Sequence, residues 1–129
     1  MNKKLIASAL SATLLVSACS SAEWESDQQR QAALREYSCQ TFVKADPNLI
    51  ASETIHGVDA VTQDVGDRAN AVRHSFMLQN GVMKPTCDRT SADYDDVILQ
   101  TWINKTDKEL GDKFTPQFAE DNGIDIDEL

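Results

Sequence analysis

The sequence predicts an all-α domain of four helices, with a short fifth possible, closed by one disulfide. Three observations lead there. Apolar residues recur at spacings of three and four in four successive stretches, the period of one helix face. No long alternation of apolar and polar residues marks a strand. Of the three cysteines, Cys19, Cys39 and Cys87, the first has a separate use and the other two form an even pair.

The first helix opens at Asp27 and turns Leu34, Tyr37, Thr41, Phe42 and Ala45 to one side. Asp46 and Pro47 stop it and start the second, because Asp caps free amides and Pro suits a first helical turn. The second carries Leu49, Ala51, Ile55, Val58 and Thr62 on one side, with Gly57 weakening it by about 1 kcal/mol relative to Ala. The third follows Gly66, places Ala69, Val72, Phe76 and Met77 on one face, and ends at Asn80 and Gly81. Residues 82–89 read as a connector containing Pro85. The fourth opens at Thr90 or Ser91 and carries Tyr94, Val97, Ile98, Thr101, Trp102 and Lys105. Phe114 and Phe118, four apart across Pro116, suit a short fifth helix packed back on the domain.

The chain begins with a basic Asn2, Lys3, Lys4 segment, an apolar run from Leu5 to Val16, and small residues up to Cys19. That is the layout of a secretory signal. The run of 12 residues falls short of the roughly 20 a bilayer crossing needs. Val16, Ser17, Ala18, Cys19 resembles the bacterial lipobox, which implies acylation of Cys19 and cleavage before it. Ser20 rather than Asp after the cysteine implies, by the same resemblance, sorting to the outer membrane. An ordinary signal with an incidental Cys19 is the alternative. The resulting organisation is a signal peptide over 1–18, a lipidated tether over 19–26, a helical domain over 27–120 and a solvated acidic tail over 121–129.

Loss of residues 1–18 removes Lys3 and Lys4 but no acid, so the mature chain holds 10 basic and 21 acidic residues, a net charge of −11. Phosphate backbones are bound by basic side chains that release counterions, so nucleic acid is excluded as a partner. In an exported chain nothing keeps thiols reduced, and Cys39 and Cys87 are expected to pair; two free buried thiols are the alternative. The bridge closes a loop of about 49 residues, for which chain entropy gives about 4 kcal/mol.

Catalytic and cofactor signatures are missing from the sequence. His56 and His74 are 18 residues apart and fit no metal-ligand spacing. No glycine sits in a calcium-loop pattern, and there is no phosphate loop or nucleophile elbow. The expectation is a binding protein without metal or cofactor, and not an enzyme.

The stretch Cys39, Gln40, Thr41, Phe42, Val43, Lys44, Ala45, Asp46, Pro47 resembles the opening of the HdeA/HdeB family of periplasmic acid-stress chaperones, and the 48-residue interval from Cys39 to Cys87 matches that family's disulfide spacing. Together these cover residues 36 to about 102. The resemblance implies a four-helix, disulfide-bridged periplasmic fold, a homodimer near neutral pH, and loosening in strong acid to shield unfolded periplasmic proteins. On this reading the client-binding residues are Leu49, Ile50, Ile55, Val58, Phe76 and Met77, on the second and third helices. The lipid anchor, Pro85 and the extension from Gly111 depart from the family's pattern. A competing expectation is an inhibitor or immunity-type lipoprotein, because Gly57, Val58, Asp59, Ala60, followed 30 residues after Gly57 by Cys87, loosely resembles Tai-type amidase-immunity proteins.

Overall fold

Every long helix opens on a side chain that accepts from an otherwise unpaired amide. In the computed structural model, which describes residues 23–129, Ser26 accepts from the Gln29 amide and opens α1, Asp27–Phe42. Asp46 accepts from Asn48 and, with Pro47 in the first turn, opens α2, Pro47–Val61. Asp64 accepts from Asp67 and opens α3, Val65–Gln79. Asp95 accepts from both Val97 and Ile98 and opens α4, Asp96–Leu110. Thr115 and Pro116 open the short α5, Pro116–Asp121, which lies between 3₁₀ turns at Gly111–Lys113 and Ile126–Glu128. No strand occurs among the described residues, so the fold is all-α.

The fourth helix starts later than the sequence suggested, because Thr90, Ser91 and Asp93 are engaged in the connector. Both the amide and the hydroxyl of Thr90 donate to Asp88 Oδ1, at 2.9 and 2.7 Å. Ser91 Oγ accepts from the Asp93 amide, and Asp93 Oδ2 accepts from the Lys84 amide. Asp95 is the first acceptor left to face a run of free amides.

Helix α4 is the centre of the domain, packed against α1, α2 and α3, while α2 and α3 form an antiparallel hairpin beside it. It buries Ile98, Leu99, Thr101, Trp102, Ile103 and Thr106, more than a single stripe, as a helix with neighbours on several sides must. Its buried threonines donate to backbone carbonyls one turn earlier, Thr101 to Val97 at 2.7 Å and Thr106 to Trp102 at 2.9 Å, so neither hydroxyl is stranded.

The inward faces of α2 and α3 differ from the expected ones. Helix α2 buries Ile50, Ala51, Thr54 and Val58, and α3 buries Ala71, Ser75 and Leu78. Small and hydroxylated residues occupy the interior because Thr54 and Ser75 satisfy their own hydroxyls on Ile50 and Val72 carbonyls. Larger apolar residues that a periodicity count assigns inward, Leu49, Ile55 and Phe76, are left outside.

Both ends of the domain pack. Trp24, in the expected tether, stacks on Phe114 at 5.3 Å between centroids and donates its indole N–H to the Phe114 carbonyl at 2.8 Å. Tyr37 and Phe118 meet edge-on at 5.2 Å beside them, and the Arg30 guanidinium lies 5.6 Å from the Phe114 ring centre. The segment expected to be a solvated tail folds back as well: Ile124 is 4% exposed and Ile126 is partly buried on the core, because the apolar members of this acidic stretch have a ready surface. Among the described residues no helix is long and apolar enough to cross a membrane.

Candidate interaction surface

Cys39, on α1, is bonded to Cys87 in the connector, with α-carbons 6.0 Å apart. The bridge ties the connector at Cys87 to the first helix. Asp88, next to Cys87, has its carboxyl held below the ordinary 3.8 by the Thr90 hydroxyl and then by the Thr90 amide. Cys19 lies outside the described residues.

The six residues expected to bind clients divide into two sets. Ile50 and Val58 are 1% and 5% exposed and belong to the core, and Met77 is partly buried against it. Leu49, Ile55 and Phe76 are 41%, 45% and 45% exposed on the outer side of the hairpin. The division follows from the faces that α2 and α3 turn inward, Ile50, Ala51, Thr54 and Val58 on one and Ala71, Ser75 and Leu78 on the other.

An open apolar groove of about 620 Å³ runs between α2 and α3. Val58, Val65, Ala69, Val72 and Phe76 line it, and Asp59, Arg68 and Arg73 stand at its edges. Positions 65, 69, 72 and 76 form one stripe along α3, since each step is close to a whole number of turns. The sequence reading began this stripe at Ala69 and missed Val65, Arg68 and Arg73; extending the same spacing one turn back across Gly66 reaches Val65. Arg68 donates to Asp59 Oδ1 at 3.1 Å through one terminal nitrogen, while its Nε is buried without a hydrogen-bond partner. Among the described residues Arg73 reaches only neutral atoms, Asn70 Oδ1 at 3.2 Å and Met77 Sδ at 3.9 Å.

The two histidines lie in separate settings. His56 Nδ1 is 2.8 Å from the Ser52 carbonyl on the exposed side of α2. His74 Nδ1 is 2.6 Å from Asp95 Oδ2, so the residue that caps α4 also ties α3 to it. Among the described residues no cluster of three or more His, Cys, Asp or Glu side chains is arranged to hold a metal ion.

No protein-family model, curated protein or solved structure matches the chain.

Proposed function

We propose that this chain is a lipid-anchored, protein-binding module of the bacterial envelope that shields apolar polypeptide from aggregation in strong acid. One observation carries the reading. Of the seven large apolar side chains exposed among the described residues, five, Leu49, Ile55, Val65, Phe76 and Val82, belong to the α2–α3 hairpin or its immediate exit, the other two being Val43 and Leu129. A concentration of this kind on one element marks an interaction surface, whereas single exposed apolar residues scattered over a domain are ordinary.

The charge supplies the switch. At neutral pH the mature chain carries −11; with its carboxylates protonated, 10 basic residues and two histidines give about +12. Repulsion on that scale loosens the hairpin from α4 and exposes Ile50 and Val58 beside the residues already outside. The disulfide persists, because exchange requires thiolate and acid suppresses it. Acylation of Cys19 and placement at the outer membrane complete the proposal and follow from the lipobox-like segment at Val16 to Cys19.

The inhibitor or immunity reading has less support. Within its string, Gly57 and Asp59 have uses inside the chain, against Thr101 and Arg68 respectively, and neither needs a toxin to account for it.

The test is light scattering of a denaturing client at pH 2 and pH 7 with the mature protein. Suppression at pH 2 and none at pH 7 is expected, weakened by Phe76→Ser and unaffected by Asp125→Ser. No suppression at pH 2 removes the chaperone reading.

A further inference from the structure

We propose that the groove between α2 and α3 receives an amphipathic helix of a partner protein whose apolar stripe is flanked by two carboxylates five residues apart, one on either side. This rests on the reading of the hairpin as a protein-binding surface and specifies the chemistry of what it takes near neutral pH.

The floor is apolar and long. From Val65 to Phe76 the stripe rises about 16 Å, three turns of a partner helix. At about 100° per residue, Val65, Ala69, Val72 and Phe76 all point within a narrow arc, and Arg68 and Arg73 fall on opposite sides of it. The two guanidinium groups therefore border the groove on either flank, separated by about 7.5 Å of rise along α3.

Both arginines retain capacity for an incoming anion. Among the described residues Asp59 takes one terminal nitrogen of Arg68, at 3.1 Å, and leaves the other open. Arg73 is held, among the described residues, by neutral atoms alone. Asp59, Arg68 and Arg73 leave the groove's edges at net +1 in a chain of 21 acids and 10 mature basic residues, a local charge that complements an acidic partner. Carboxylates at i and i+5 of a docked helix are about 140° and 7.5 Å apart, so they straddle its apolar stripe at the interval the arginines present.

Other occupants fit less well. A symmetric pairing of two copies through this groove offers these arginines only the other copy's Asp59 among the lining residues, a carboxylate already paired with its own Arg68. A fatty acid would lie in an open trough with much of its chain in water, whereas a helix covers the trough with its own breadth.

The experiment measures fluorescence anisotropy of labelled 18-residue amphipathic helical peptides with the mature protein at pH 7 and low salt. One peptide has a Leu stripe flanked by two Glu five apart, one on each side; the others replace both Glu by Gln or by Lys. The Glu peptide is expected to bind about tenfold tighter than the Lys peptide, with Gln between them. Phe76→Asp should abolish binding of all three, and Arg68→Gln with Arg73→Gln should erase the Glu preference while leaving the Gln peptide bound. Equal or tighter binding of the Lys peptide, indifference to Phe76→Asp, or displacement of the Glu peptide by decanoate below its micelle concentration would overturn the proposal. The acid assay separates the two readings: peptide selectivity at pH 7 without client protection at pH 2 keeps this inference and removes the chaperone, and the reverse removes only this inference.

Discussion

Gly57 lies so close to α4 that a β-carbon on it would stand 2.8 Å from Cγ2 of Thr101. The glycine costs the α2 helix about 1 kcal/mol of intrinsic preference relative to alanine. It is retained because the two helices touch here almost backbone to side chain. Thr101 has little room to yield, since it is buried, β-branched and hydrogen-bonded to the Val97 carbonyl.

Gly57→Ala is therefore expected to destabilise the domain by about 1 to 3 kcal/mol despite alanine's better helix propensity. Thr101→Ser keeps the hydroxyl and removes the obstructing methyl. The double variant should recover most of the loss, giving a coupling of about 1 kcal/mol or more in a chemical-denaturation cycle. Strict additivity of the two changes would show that the contact is not the reason for the glycine.

The disulfide gives a second expectation. Cys87→Ser frees a loop whose ends are 48 positions apart and should lower stability by about 2 to 5 kcal/mol, in a domain whose total is of the order of 5 to 15. Thiol titration of the denatured, unreduced protein should find no free thiol from Cys39 or Cys87. A full equivalent from either would contradict the bridge.

Much of this architecture was readable from the residues. Asp46–Pro47 and Asn80–Gly81 mark helix ends through their own chemistry, so α2 begins and α3 ends where local rules put them. The cysteine pair follows from parity. The inward faces of α2 and α3 were not readable by counting large apolar residues, because Thr54 and Ser75 bury themselves by returning their hydroxyls to the helix. The start of α4 was hidden because Thr90, Ser91, Asp93 and Asp95 are all competent caps, and only the turns within the connector decide among them. The groove was half visible: Ala69, Val72 and Phe76 were on one stripe, but their outward orientation depends on which side α4 covers.

Asp88 should titrate below 3.8 in the folded protein, because its charged form accepts two hydrogen bonds from Thr90. A folded value below the unfolded one means that the stabilisation is present above the unfolded value and disappears as pH falls through the folded value. Acid thus withdraws the stabilisation that the Asp88 carboxylate gives the Asp88–Thr90 turn. Carboxyl chemical shifts followed by NMR should give a midpoint under 3.8, and Thr90→Val should bring it part of the way back, since the amide remains. A midpoint at or above 3.8 in the unaltered protein would refute the assignment.

Trp24 decides whether the segment after Cys19 is a free tether or a short leash. Its ring stacks on Phe114 and its N–H is bonded to the Phe114 carbonyl, while Phe114 itself is 2% exposed among Tyr37, Phe118 and Arg30. Truncation by Trp24→Ala removes an aromatic pair and a hydrogen bond, together about 1 to 3 kcal/mol. Phe114→Ala removes the centre of the same cluster and should cost about 3 to 5 kcal/mol. If Cys19 is acylated, only five positions separate the anchor from Trp24, a reach of at most about 18 Å. The Trp24–Phe114 end must then lie next to the bilayer. Mass spectrometry should find acyl chains on Cys19, and on vesicles a nitroxide lipid near the headgroups should quench Trp24 more strongly than Trp102, measured in single-tryptophan variants. Equal quenching of the two would show that the domain tumbles freely on a longer tether and that the Trp24 contact does not orient it.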